Sequence, residues 1–313
     1  MIADAKASFD NAKRIYESVL IQFKGVDGYD VYNTSVPYTY QGKIYLYGRI
    51  EKRTEWSESR VRLFVQSGKD EFTLVPNQQN FHLEDPFASK IQDMMFFGGT
   101  RVVKNCGNVS LQYIDFYKGS VERPFYYTCG PDRMKYIRLV RLYGGGVGIF
   151  STHSTANHYS PSFTTIEKLE DLNMDVIAKA MPLDLDSFAD ASCAVHQAYL
   201  LTSGKIGCIC HHAYEEKREE DCPSTVYCIT SFVYEPRTKK VLDIRVIATR
   251  NSFPNCSPKA PHVADCVFAS GVVMREDGRC DLYAGIGNSH EGRVVIDYPF
   301  EGHGNISHDE LKF

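Results

Sequence analysis

The chain has 313 residues, of which 43% are hydrophobic, 24% charged and 12% aromatic, and its net charge is −4. That length carries one large domain or two ordinary ones with ample apolar surface to bury, which excludes global disorder and a collagen-like structure. The mildly acidic balance gives no basic footprint for nucleic acid, and no apolar run approaches the ~18 residues of a membrane span, so composition points to a soluble, cytoplasmic protein.

The opening MIADAKASFDNAKR has charges where a secretory signal needs its apolar core, and no export signal is expected. Ile2, Phe9, Ile15, Tyr16, Val19, Leu20 and Phe23 recur at three-, four- and seven-residue steps. This spacing predicts a helical cap over residues 1–28, closed by Gly25 and Gly28. From Tyr29 onward the pattern changes to short aromatic and β-branched runs broken by glycine turns, and a single catalytic domain over residues 29–313 is expected. Five runs look alike, starting at Gly42, Asp93, Gly144, Gly204 and Gly278. They are spaced by roughly 50 to 75 residues, about one propeller blade plus insertions. The reading is an all-β chain, a five-bladed β-propeller with an N-terminal helix. A pair of β-sandwiches competes but does not explain the recurrent unit. Helical or loop insertions are expected over residues 166–180, and a solvated loop at the charged run Glu215 to Asp221.

The ten cysteines form no CxxC pair, so no metal site is expected. Cys208 and Cys210 alternate inside an apolar run, as small buried residues on one face of a strand do. His211 and His212 follow them without a second ligand pair at suitable spacing.

Propellers bind ligands at the mouth of the central channel, so the polar residues that interrupt apolar strands are the candidates. The first are Asn33 and, after the run Ile44–Tyr47, Arg49 with Glu51 on the same face of the strand. Such a pair can hold a sugar's hydroxyls or simply each other. Next comes the box His82-Leu83-Glu84-Asp85-Pro86-Phe87, where the proline keeps Asp85 out of the helical region and directs its carboxylate. The same dipeptide also makes ordinary turns. In PDRMKYIRLVRL a strand would put Lys135 and Arg141 on one face and Arg138 on the other; cations here suit phosphate or a solvated strand edge. A last, individually weak group comprises His196, Gln197, His211, His212, Lys259, His262, Asp265, Asn288, Ser289 and His290.

Taken in order, YNTSVPY…GKIYLYGRIEKR, LEDPF, MKYIRLVRL, VHQAYLL…GKIGCICHHA and KAPHVADCVFASGVV…LYAGIGNS span nearly the whole chain. They resemble the five-bladed propeller proteins grouped as domain of unknown function 1861, which include the mannosyltransferase/phosphorylases of Leishmania-type parasites, glycosyltransferase family 108. More distantly they resemble glycoside hydrolase family 130, with its β-mannoside phosphorylases. The resemblance implies a catalytic acid at Asp85 and substrate contacts from Asn33, Arg49 and Asp265, with Glu51 and His196 as further members. It implies a phosphate-facing set of Lys135, Arg138 and His211. Where the family-130 box usually carries arginine, this chain has Phe87, and Asn288 stands where an aspartate is common.

An inverting reaction pairs one protonated carboxyl with a nucleophile on the opposite face, and phosphate needs no second carboxylate to activate it. The resemblance therefore implies a β-1,2-mannosyltransferase/phosphorylase acting on oligomannosides, with no resident cofactor and with phosphate, α-mannose 1-phosphate or GDP-mannose as co-substrates. An inverting β-mannoside hydrolase and a non-catalytic glycan-binding propeller are the alternatives, because a fold alone never fixes an activity.

Overall fold

The computed structural model describes every residue except Lys13, Ser57, 155–157, 217–223 and Asp309. Five sheets stand around one axis, each an antiparallel meander that starts at its inner strand, with one parallel strand added at the edge of the first. In blade 1 the inner strand is broken into Asp30–Tyr32 and Tyr38–Tyr40, and both pieces pair with Lys43–Glu51. Arg60–Gly68 and Glu71–Leu74 complete this blade, with Gln22–Lys24 added in parallel at its outer edge. Blades 2, 3 and 4 have inner strands Glu84–Ile91, Arg138–Arg141 and Ser192–Leu200. Blade 5 runs Val267–Met274, Cys280–Ile286 and His290–Ile296. Every one of the five look-alike runs forms the second strand of its blade.

The fourth strand of blade 5 comes from the other end of the chain. Glu17–Leu20 pairs antiparallel with His290–Ile296, from Glu17 opposite Val295 to Leu20 opposite Gly292. The ring is thus closed by hydrogen bonds between the two ends of the chain, which removes an open sheet edge. This corrects the helical reading of residues 15–23: the helix covers only Ile2–Ala12. Val19, Ile21 and Phe23 also alternate at period two, and the unpaired edge of blade 5 decides between the two periods. The helix packs Ile2 against Phe188, Ala191 and Cys228, with Ile244 and Val246 beside them. Asp10 anchors it to blade 4, accepting from Thr249 Oγ1 at 2.5 Å and Asn251 Nδ2 at 2.9 Å.

The core is divided among the faces between blades. Tyr47 and Leu63 of blade 1 meet Ala88 and Phe97 of blade 2, and Phe87 and Ile114 of blade 2 meet Leu139 and Ile149 of blade 3. Val140 and Phe150 of blade 3 meet Val195, Cys208 and Cys210 of blade 4. Ile209 and Val233 of blade 4 meet Val267 and Leu282 of blade 5, and Tyr283 of blade 5 closes the circle on Val31 and Phe64. Each blade therefore buries both faces, as its strands' near-continuous apolar runs require. The expected insertion holds a short helix, Met174–Ala178, capped by Asn173, whose Oδ1 accepts from Val176 N at 3.0 Å. Glu215 and Glu216 end the strand Ile206–Glu216; the rest of the expected charged loop lies outside the described residues.

Candidate active site

Because every blade begins with its inner strand, all five inner strands start at the same mouth, and their first residues converge there. Asn33 follows Asp30–Tyr32, Asp85 opens blade 2, Lys135 and Tyr136 precede blade 3, His196 lies in blade 4, and Asp265 precedes blade 5. Contacts cross the mouth: Tyr136 of blade 3 lies against His196 and His211 of blade 4, at 5.4 and 5.5 Å between ring centroids, and against Phe268 of blade 5 at 6.1 Å.

Asp85 is the focus of one half of this mouth. Asn33 Nδ2 donates to its Oδ1 at 2.8 Å, and Arg49 Nη1 donates to the same oxygen at 3.0 Å. Pro86 does keep Asp85 out of the right-handed helical region, but the residue takes the left-handed one, with φ 48°. The register with the next strand shifts between Glu84 and Phe87. That bulge lets neighbouring carboxylates, which a regular strand would point apart, both face Arg49, with Arg49 Nη2 3.4 Å from Glu84 Oε1. Burial raises the carboxyl of Glu84 above its ordinary range, and the Asp85 charge adds to this while Arg49 opposes it.

Glu51 lies behind Arg49 and does not reach the mouth. Its Oε1 accepts from Ser59 Oγ at 3.1 Å, and its Oε2 accepts from Tyr32 Oη and from Lys259 Nζ, the latter at 2.5 Å. Lys259 and Glu51 side chains are both 0% exposed. Of the two readings of Glu51, a sugar contact or a partner for Arg49, these contacts favour the second: both carboxylate oxygens are occupied, by Ser59, Tyr32 and Lys259, and Oε2 lies 3.6 Å from Arg49 Nη2.

The cationic half is built differently from the expectation. The strand is only Arg138–Arg141, so Lys135 and Arg141 do not share a face; Arg141 turns to Glu310, at 2.9 Å, at the far end of the strand. Lys135 lines an open hollow of ≈ 530 Å³ with Arg133, Tyr136, Thr152 and Tyr159. Arg138 is buried deeper, donating to the carbonyls of His196 and Ile137 at 2.5 and 3.0 Å. Its guanidinium lies 4.3 Å from the ring of Phe87, the residue at the family-130 arginine position. Burial lowers its pKa to about 10, against the opposing pull of Asp85. His196 Nε2 contacts His211 Nδ1, and His211 Nε2 lies 2.6 Å from Tyr159 Oη. Burial lowers the pKa of both imidazoles, that of His211 to about 3 with His212 adding to the effect. Asp265, in the turn after Pro261–Val263, is half-buried, and its charge is felt at Tyr214, on the blade 4 side of the mouth.

Among the described residues no group of three or more His, Cys, Asp or Glu is placed to hold a metal ion. A larger groove of ≈ 1400 Å³ lies between blades 1 and 5 and the C-terminal segment, and none of the Asp85 cluster lines it. Among the described residues no helix is long and apolar enough to cross a membrane.

Residues 7–302 match the family described as a protein of unknown function, DUF1861. The chain belongs to the DUF1861 family. Among solved structures, this DUF1861 chain is 50% identical to MPT-4, a mannose phosphorylase from Leishmania mexicana in complex with a phosphate ion. The match covers 100% of this chain and 97% of that one, with a TM-score of 0.96. MPT-1, a GDP-Man-dependent mannosyltransferase from the same organism, is 47% identical over 100% of both chains, again with a TM-score of 0.96. A structure described with the GH130 family of mannoside phosphorylases, which contains hydrolases that target β-1,2 mannosidic linkages in Candida mannan, shares the fold: TM-score 0.57, 13% identity, 93% and 97% covered. No curated protein sequence matches the chain.

Sequence reasoning on this DUF1861 chain did not single out Glu84, Tyr32, Ser59, Tyr136 or Tyr159, and gave Lys259 no role. Glu84 had a signal, since a proline two residues on invites a bulge. The others carry none, because each meets the site through a contact made across strands or blades.

Proposed function

We propose that the chain transfers mannosyl units between β-1,2-linked oligomannosides and phosphate with inversion, and that Asp85 is its general acid and base. The observation that carries this reading is the two-sided hold on one Asp85 oxygen: Asn33 and Arg49 both bind Oδ1, so Oδ2 is the oxygen that carries the transferred proton. In phosphorolysis a phosphate oxygen attacks the anomeric carbon, the glycosidic C–O bond breaks, and the leaving oxygen takes its proton from Asp85. The product is α-mannose 1-phosphate and a chain one unit shorter. In synthesis Asp85 takes the proton of the acceptor hydroxyl, and phosphate or GDP leaves. Lys135 at the hollow and the buried Arg138, held by the carbonyls of His196 and Ile137, supply the positive charge for either anion. The 50% identity to a mannose phosphorylase and 47% identity to a mannosyltransferase support the same chemistry. The described cysteines are free thiols, in keeping with a reducing, cytoplasmic setting.

The test is to incubate the protein with a β-1,2-oligomannoside and inorganic phosphate and to follow mannose 1-phosphate. Wild-type protein should release it, and Asp85→Asn should lower the rate by about 10²–10⁴-fold with the fold intact. Free mannose released at the same rate without phosphate, or an Asp85→Asn protein as active as wild type, overturns the reading.

A further inference from the structure

The rim of the mouth carries an exposed aromatic side chain that the chemistry at Asp85 leaves unused. Trp56, the sole tryptophan of the sequence, is 43% exposed on the segment that joins the second and third strands of blade 1. It is nevertheless held from three sides. His262, in the connection between blades 4 and 5, stacks on it with 5.7 Å between ring centroids and 26° between planes. Lys259 Nζ lies 4.7 Å from the ring. Lys104, on the long hairpin of blade 2, donates to its carbonyl at 3.2 Å. Among the described residues, nothing accepts a hydrogen bond from its indole N–H.

The position relates this ring to the reacting centre. Lys259 pairs with Glu51, Glu51 lies 3.6 Å from Arg49 Nη2, and Arg49 holds Asp85. The indole therefore stands on the blade 1–blade 5 side of Asp85, while Lys135 and Arg138 stand on the blade 3 side. In an inverting displacement the anion and the leaving saccharide occupy opposite sides of the anomeric carbon. The cations take the anion, so the aromatic side is left for the saccharide. A pyranose offers a patch of C–H bonds ringed by hydroxyls. A partly exposed indole offers an apolar face with one free donor at its edge, and a pre-positioned ring loses little freedom on binding.

We propose that Trp56, stacked on His262, is the platform for the mannosyl unit of the acceptor or leaving oligosaccharide next to Asp85. The proposal rests on the mannosyl-transfer reading of the site. It assigns chain recognition to a segment of blade 1 that contributes nothing to the proton transfer.

Because the tryptophan is unique, its emission reports on this position alone when excited at the red edge, where tyrosine does not absorb. Titration with β-1,2-mannotriose should shift or quench that emission saturably, whereas phosphate alone and GDP alone should not. Trp56→Ala should raise KM for the mannotriose about tenfold and leave KM for phosphate within about twofold; Trp56→Phe should recover most of the loss. Turnover of the trisaccharide with an unmoved emission, or with an unchanged KM in Trp56→Ala, overturns the platform alone. An emission that responds to GDP and not to the trisaccharide overturns it in favour of a nucleotide base. Wild-type protein that neither turns over nor binds mannosides overturns the reading of the site, and the platform with it.

Discussion

Asn33 of blade 1 and Asp85 of blade 2 both take left-handed backbone conformations, φ 47° and 48°, and are joined by a 2.8 Å hydrogen bond from Asn33 Nδ2 to Asp85 Oδ1. Asparagine and aspartate reach this region more readily than other non-glycine residues, yet it still costs of order 1 kcal/mol each relative to glycine. Here the two strained residues face each other at the mouth, each fixing the other's side chain. Replacing Asn33 by glycine removes the strain and the hydrogen bond together. Asn33→Gly should therefore hold or raise the thermal midpoint while lowering kcat/KM at least about tenfold. Thermal unfolding followed beside mannose 1-phosphate release would show the split; a parallel loss of both would refute it.

Gly285, on the second strand of blade 5, makes room for the same asparagine. A β-carbon at this position would stand 2.0 Å from Asn33 Oδ1 and 2.7 Å from Asn33 N. Gly285→Ala must push the Asn33 segment away, costing about 1–3 kcal/mol of stability. Activity should fall with it, since the three atoms nearest the added methyl all belong to Asn33. A Gly285→Ala protein with wild-type rate and wild-type melting would show that the segment yields freely.

The ion pair of Lys259 and Glu51 is buried on both sides. Removing one partner strands a charge inside the protein, whereas removing both leaves little to desolvate. Lys259→Met should cost about 3 kcal/mol in urea unfolding, and Lys259→Met combined with Glu51→Gln should recover most of it. Additive losses in the two single variants and the double variant would rule out this coupling.

Glu291 gives the channel a pH signature. It is buried below the mouth, where Ser270 Oγ donates to it at 2.7 Å and Thr34 N at 3.2 Å. Burial pushes its carboxyl up to about 8, against those hydrogen bonds. Between the ordinary value of 4.5 and about 8, the folded protein keeps a proton that the unfolded chain has released. Stability from this group is therefore complete below pH 4.5 and drains away as pH rises to about 8, by about 5 kcal/mol for the whole shift. Glu291→Gln should lack this slope. Unfolding free energies that run parallel with pH in both proteins would show that the carboxyl is ionised in the fold.

The blades were legible in the sequence because strand alternation and glycine turns are local properties. The runs from Gly42, Asp93, Gly144, Gly204 and Gly278 each became a second strand. The segment 15–23 was not legible, because its apolar residues fit two periods and the deciding partner, His290–Ile296, lies at the other end of the chain. Among site residues, Arg49 and Asp85 stood out as polar groups interrupting apolar runs. Glu51 stood out equally and proved to be sealed behind them.

Residue order and hydropathy dictated how many blades form, which strands they contain and that polar groups gather at strand ends, since each of these depends on neighbours a few residues away. Ring closure decided the partnerships: Asn33 with Asp85, Lys259 with Glu51, Arg138 with the His196 carbonyl, Trp56 with His262. Burial, charge pairing and proton affinity depend on distances in space, and chain separations of 52 residues for Asn33 with Asp85 and 208 for Lys259 with Glu51 carry no information about those distances.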